Sequence, residues 1–375
     1  MTLYKRTIWG GILLSLVLLS LVLLSSCTNL YYRFVVSPGK IQRANLGSGI
    51  GEIRTVLNDV NPGSGDSVEI VGHCAASFRH YPMGNTAGLV FGNGWHAERD
   101  SARDVNDLMD AAFRQGEPLS MEIDAQPVPE GHILYAPDKF RFVVMHNEPT
   151  WSAVTSPGSP VAAFLLRNTV KSTLRHFIDE GYSRTGKVYL EIKSTAACYD
   201  TNFSTEACRE PARLLADEVS EFILETNSPD KKSNWLAMTS FSHILLDSFR
   251  RALPPALQDE VDYVLILGTT HNGLLWKLAQ AKGPVPHVTP AVLNFAATTR
   301  WLDGVWFSMR GVPGWKSSLP ALIARRKNEC PDCPLDLTVV HYDVSWRTFK
   351  RRLVRDPRPE LPIKSVMIDV DDARH

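Results

Sequence analysis

Short apolar runs alternate with longer amphipathic ones from Val68 to the end of the chain, and this alternation constrains the fold more than any other feature. The strand candidates are Val68–His73, Leu119–Ala125, Val188–Lys193, Trp235–Phe241, Val261–Leu267, Gly304–Met309, Leu337–Tyr342 and Ser365–Val370. Between them lie the helix candidates Asp104–Gln115, Val161–Glu180, Glu210–Glu225, Ile244–Leu253, Asn272–Ala281, Ser317–Arg326 and Ser345–Arg352. Strands alternating with helices make βα units and a parallel sheet. Eight strands in roughly 300 residues predict an α/β fold, a (β/α)8 TIM barrel, rather than an open doubly wound sheet. No Gly-rich dinucleotide fingerprint or phosphate loop follows the first strand, which counts further against the open sheet. A chain of 375 residues has room for two average domains or one large barrel. The pattern favours one barrel domain over residues 67–375, preceded by a tether and lead-in over 27–66.

Composition removes several classes. With 44% hydrophobic and 21% charged residues, disorder is excluded. The 40 basic and 40 acidic side chains cancel, so no general electrostatic argument favours nucleic acid as a partner. Only one apolar run is long enough to span a bilayer, which excludes a polytopic membrane protein.

That run is N-terminal. Lys5 and Arg6 precede an uncharged stretch from Thr7 to Tyr32, rich in Leu, Val and Ile, that reaches Leu24-Ser25-Ser26-Cys27. A basic start, an apolar core and a small-residue end make a secretory signal over residues 1–26. The end resembles a bacterial lipobox, which implies that Cys27 is lipidated and becomes the first mature residue. An uncleaved single-span anchor is the alternative. Thr28, where an aspartate would favour inner-membrane retention, favours the outer membrane. The expected location is the bacterial cell envelope, with the barrel tethered by lipid in the periplasm or at the cell surface.

The remaining cysteines suit an oxidising compartment. Cys198 and Cys208 bracket a polar loop that a disulfide would close. Cys330-Pro-Asp-Cys333 fits a tight disulfide; its zinc reading needs a second ligand pair, which the sequence lacks. Cys74 is left over, beside His73.

In such a barrel the chemistry sits at the C-terminal ends of the strands. The first strand ends at His73. The second carries Glu122-Ile123-Asp124, and the third ends Glu191-Ile192-Lys193. On a strand, i and i+2 share a side, so each pair points the same way. The fourth ends Ser240-Phe241-Ser242, and a separate run, Phe142–Met145, ends at His146. Three carboxylates suit a hard divalent cation, Mg²⁺ or Ca²⁺. A lysine beside them suits an anionic substrate, and two histidines suit acid and base roles. Together they describe phosphate ester chemistry.

The ordered series His73-Cys74-Ala75, Gly84-Asn85-Thr86, Glu122-Ile123-Asp124, His146-Asn147, Glu191-Ile192-Lys193 and Ser240-Phe241 resembles the glycerophosphodiester phosphodiesterase family, barrel relatives of phosphatidylinositol-specific phospholipase C. The resemblance runs from about Val68 to Asp371. It implies that Glu122, Asp124 and Glu191 hold the metal, that His73 and His146 are the acid/base pair, and that Lys193 stabilises phosphate charge. The implied substrates are glycerophosphodiesters or lysophospholipids. Three positions depart from the family pattern. Cys74 stands for an arginine, Gly84 for a glutamate, and His341-Tyr342 for a late tryptophan. The segment between Asn85 and Glu122, with Trp95, His96, Arg99 and Arg103, is longer than the family's. Two alternatives stay open. One is a phospholipase D or lyase of the sphingomyelinase D type. The other is a degenerate barrel that binds phospholipid or a partner without chemistry.

Overall fold

The computed structural model describes residues 69–73, 75, 104–113, 120–135, 141–146, 151, 158, 160–193, 198, 204–226, 235–267, 288–308, 315–341, 361 and 363–368. The signal segment, Cys27, the tether, Cys74, Gly84–Thr86, Trp95, His96, Arg99, Arg103, Asn147, Tyr342 and the helix candidates Asn272–Ala281 and Ser345–Arg352 lie outside them. Among the described residues no helix is long and apolar enough to cross a membrane.

Eight parallel strands close into a barrel. They are β1 (Glu69–Gly72), β2 (Ser120–Pro127), β4 (Val188–Ile192), β5 (Leu236–Ser240), β6 (Asp262–Leu267), β7 (Gly304–Ser308), β8 (Asp336–His341) and β9 (Ile363–Ile368). The order is β1-β9-β8-β7-β6-β5-β4-β2, and pairing of β1 with β2 closes the ring. A ninth strand, β3 (Phe142–Val144), runs antiparallel along the end of β2, with Ala125 opposite Val144 and Pro127 opposite Phe142.

The strands are buried on both faces, and their side chains sort by parity. Val71, Tyr189, Ala237, Val264, Ile266, Trp306, Val340 and Met367 pack inside the barrel. Their neighbours, including Ile70, Leu190, Met238, Leu265, Val305, Val339 and Val366, pack in the other core, under the helices. The helix layer is α1 (Val105–Phe113), α2 (Pro160–Arg167), α3 (Val170–Asp179), α4 (Glu206–Glu225), α5 (His243–Ala252), α6 (Pro290–Thr298) and α7 (Trp315–Glu329).

Two helices differ from the sequence reading. The helix expected over Val161–Glu180 is broken at Asn168-Thr169. Thr169 is extended (φ −83°, ψ 153°), and a reciprocal capping box with Ser172 starts α3 there. Asn168 is held by tertiary bonds. Its Oδ1 accepts the Val105 N–H at 2.7 Å, its Nδ2 donates to Phe164 O at 2.8 Å, and its carbonyl accepts the Val144 N–H at 2.7 Å. These ties to α1 and β3 fix the break. Helix α6 was not expected, although Thr289 caps it by accepting the Val292 N–H and Pro290 occupies its first turn.

Cys198 is disulfide-bonded to Cys208, which joins the stretch after β4 to the first turn of α4. Cys330 is bonded to Cys333 just beyond α7. Both thiols of the Cys-Pro-Asp-Cys pair are thereby used, which leaves no thiolate there for zinc.

Glu218 on α4 is buried, and its Oε2 accepts the Arg141 N–H at 2.8 Å. Among the described residues its Oε1 has no hydrogen-bond partner. Burial pushes the carboxyl up to about 7, against the pull of the Arg141 N–H and of Lys171. The folded chain therefore binds this proton more tightly than the unfolded chain. Stability is lost as pH rises from the ordinary value of 4.5 to about 7, and the penalty stays in full above that. Glu218→Gln is expected to gain about 1–2 kcal/mol over the parent at about pH 8 and almost nothing near pH 4, measured by urea unfolding at both.

Candidate active site

Strand β2 places Glu122 and Asp124 on the inner side, and β4 places Glu191 there, with Lys193 just past its end. The register puts Glu122 opposite Tyr189 and Asp124 opposite Glu191, so the second and third carboxylates face each other across one ladder. One ligand oxygen from each of Glu122, Asp124 and Glu191 lies within 4.8 Å of the others. Lys193 Nζ is 2.8 Å from Asp124 Oδ1 and 2.7 Å from Glu191 Oε1. All four are nearly out of contact with water, at 1% for Glu122, 0% for Asp124, 5% for Glu191 and 8% for Lys193, so the group is a closed polar pocket rather than a rim of solvated charges.

Burial in this company sets the acidities. Glu122 is pushed well above the ordinary carboxylate range, first by burial and then by the charge of Asp124. Glu191 is raised to about 7, again by burial, with Lys193 opposing the rise. Burial acts on Asp124 in the same direction, yet Lys193, His146 and His73 together outweigh it and hold that carboxyl below its usual value. The arrangement therefore keeps one firm anion beside two carboxyls that hold protons readily. Protons or cations must share such a group, because like charges buried together cannot all ionise alone. Three carboxylates from adjacent strands, within one ligand shell of each other, fit a hard divalent cation.

The two histidines arrive by different routes. His73 follows the last residue of β1 and is half-buried. The chain then turns over β2, where the Ala75 N–H donates to Glu122 O at 2.8 Å. Ala75 takes a left-handed φ of 51° to make that turn, a conformation that costs an L-residue about 1–2 kcal/mol. His146 follows β3 and is also half-buried. The Met145 N–H donates to Asp124 O at 3.1 Å, and Gln126 Nε2 donates to His146 O at 3.1 Å. A near neighbour of each histidine is thus tied to the backbone of a carboxylate residue. Both are close enough that their charge lowers the Asp124 carboxyl, and His73 also lowers Glu122 and Glu191.

The Ser-Phe-Ser end of β5 divides differently. Ser242 caps α5 by accepting the Leu245 N–H, and Ser240 Oγ accepts the Ser242 N–H. Phe241 packs against the inner cluster. The inward polar residue is Thr239, in register with Glu191 and fully buried. Among the described residues its hydroxyl has no hydrogen-bond partner. The parity of β5 is the signal that identifies it: counting back by two from Phe241 reaches Thr239, not Ser240.

No protein-family model matches the chain, and no curated protein matches it in sequence. Among solved structures it is similar to a phosphodiesterase from Oleispira antarctica, in complex with the product sn-glycerol-3-phosphate. The two share 12% identity and a TM-score of 0.39, over 81% of this chain and 94% of the other.

If the carboxylates hold a divalent cation, saturating Mg²⁺ or Ca²⁺ will stabilise the fold by about 2–3 kcal/mol, reversed by EDTA. Asp124→Asn, which breaks the Lys193 pair and removes the firm anion, is expected to abolish that gain. Thermal melts with and without cation check both.

Proposed function

We propose that this chain is a metal-dependent phosphodiesterase of the glycerophosphodiester phosphodiesterase type. The observation that carries the reading is Lys193, buried between Asp124 and Glu191 at the strand ends where His73 and His146 also converge. A buried lysine beside carboxylates and histidines is suited to a substrate whose reacting group is anionic.

Glu122, Asp124 and Glu191 would hold Mg²⁺ or Ca²⁺, whose charge polarises a phosphoryl oxygen. Lys193 would take a share of the phosphate's negative charge. One histidine accepts the proton of the attacking water as its oxygen bonds to phosphorus. The other donates a proton to the alcohol oxygen as the second P–O bond breaks. The products are an alcohol and a phosphomonoester. Closure of the barrel around the carboxylates excludes water and strengthens each of these interactions.

The substrate class is glycerophosphodiesters or lysophospholipids. Placement at a membrane surface accords with that class. We read residues 1–26 as a lipoprotein signal and Cys27 as the lipidated residue, which would tether the barrel at the cell envelope.

The purified chain should hydrolyse glycerophosphocholine, lysophosphatidylcholine or bis(p-nitrophenyl) phosphate with Mg²⁺ or Ca²⁺ and lose turnover in EDTA. His73→Ala and His146→Ala are each expected to lower kcat by about 10²–10⁴-fold while the fold is kept. Full activity in either variant would remove that histidine from the mechanism. No turnover with any of the three substrates, by folded protein, would contradict the reading.

A further inference from the structure

Lys193 pairs with two of the three members of the acidic triad. Its ammonium bonds to Asp124 and Glu191 at 2.8 and 2.7 Å, and both residues belong to the set that would hold the cation. It is the least deeply buried of the four, though still only 8% exposed. A divalent cation sits about 2.0–2.6 Å from its carboxylate oxygens. Held by the same two carboxylates, it and the ammonium would stand within a few ångströms of each other, where poor screening makes like charges repel strongly. One of the two must withdraw. Lysine suits that role, because it is a compact charge on a flexible four-carbon stem.

We propose that Lys193 is a displaceable counter-ion that competes with the divalent cation for Asp124 and Glu191, and that a phosphate group, as the lysine's other partner, favours the exchange. The proposal rests on the phosphodiesterase reading for the anion and on the carboxylate triad for the cation. It goes beyond both by coupling them. Cation binding releases the ammonium, the released ammonium attracts phosphate, and by linkage phosphate must tighten the cation by the same factor. Substrate then meets its lysine more readily with the metal in place, and the metal binds more tightly with phosphate in place. This makes Lys193 the link between the two binding events as well as a charge at the phosphate.

The test is calorimetric titration of Mg²⁺ and Mn²⁺ into the full chain, kept soluble in detergent at about pH 8 so that proton competition is small. Lys193→Gln and Lys193→Met are expected to bind the cation about ten-fold more tightly than the parent, because a charge-assisted hydrogen bond to Glu191 and an ion pair to Asp124 no longer oppose it. Inorganic phosphate should raise cation affinity several-fold in the parent and much less in either variant. Unchanged or weaker cation affinity in a folded variant overturns the proposal and leaves the triad as a metal site. No cation binding by the parent overturns the triad, and the proposal with it. Should neither variant fold, stopped-flow binding of Mn²⁺ to the parent decides. The observed rate should level off at high cation as lysine withdrawal becomes limiting, and a linear rise throughout overturns the proposal.

Discussion

One ammonium among three buried carboxylates governs the mouth of this barrel. Removing Glu122, Asp124 and Glu191 from water is costly, and the ion pairs from Lys193 to Asp124 and Glu191 offset part of that cost. They pull both carboxyls down against burial, with unequal results. Asp124, with Lys193 and both histidines acting on it, is held low, while Glu122 and Glu191 are pushed up by burial. The backbone serves the same end. Closure of β1 onto β2 brings His73 to Glu122, and the antiparallel β3 brings His146 to Asp124. Without the ring and its extra strand the histidines would have no reason to meet these acids.

The opposite end of the barrel shows that charge inside it does not by itself mean chemistry. There Lys187 pairs with Asp262, Ser120 donates to Glu69, and the Tyr189 hydroxyl donates to Glu69 Oε2 at 3.0 Å. These residues come from the starts of strands, the face that serves stability in such barrels. Among the described residues only Glu122, Asp124 and Glu191 bring three ligand atoms within reach of one cation. Position along the strands, more than residue type, separates the candidate site from the structural cluster.

Much of this was legible in the chain. Glu-Ile-Asp and Glu-Ile-Lys carry the two-residue period that puts both members of each pair on one face, and the alternation of runs predicted eight barrel strands. What escaped had tertiary causes. The break at Asn168 depends on bonds to Val105 and Val144, more than 20 residues away in sequence, which no local periodicity encodes. The antiparallel direction of β3 depends on its partner. Helix α6 carried a local signal, Thr289-Pro290, hidden within an apolar stretch. Ser240 and Ser242 stand at a strand end, but their hydroxyls serve the start of α5, and strand parity puts Thr239 inside.

If the three carboxylates form a metal site in which Lys193 yields its place, anomalous diffraction from crystals of this chain soaked in Mn²⁺ will show it. One strong peak should be bonded to Glu122, Asp124 and Glu191, with Lys193 Nζ drawn away from Asp124 and Glu191. No peak at the triad under saturating Mn²⁺, or a bound Mn²⁺ with both lysine ion pairs intact, would contradict it.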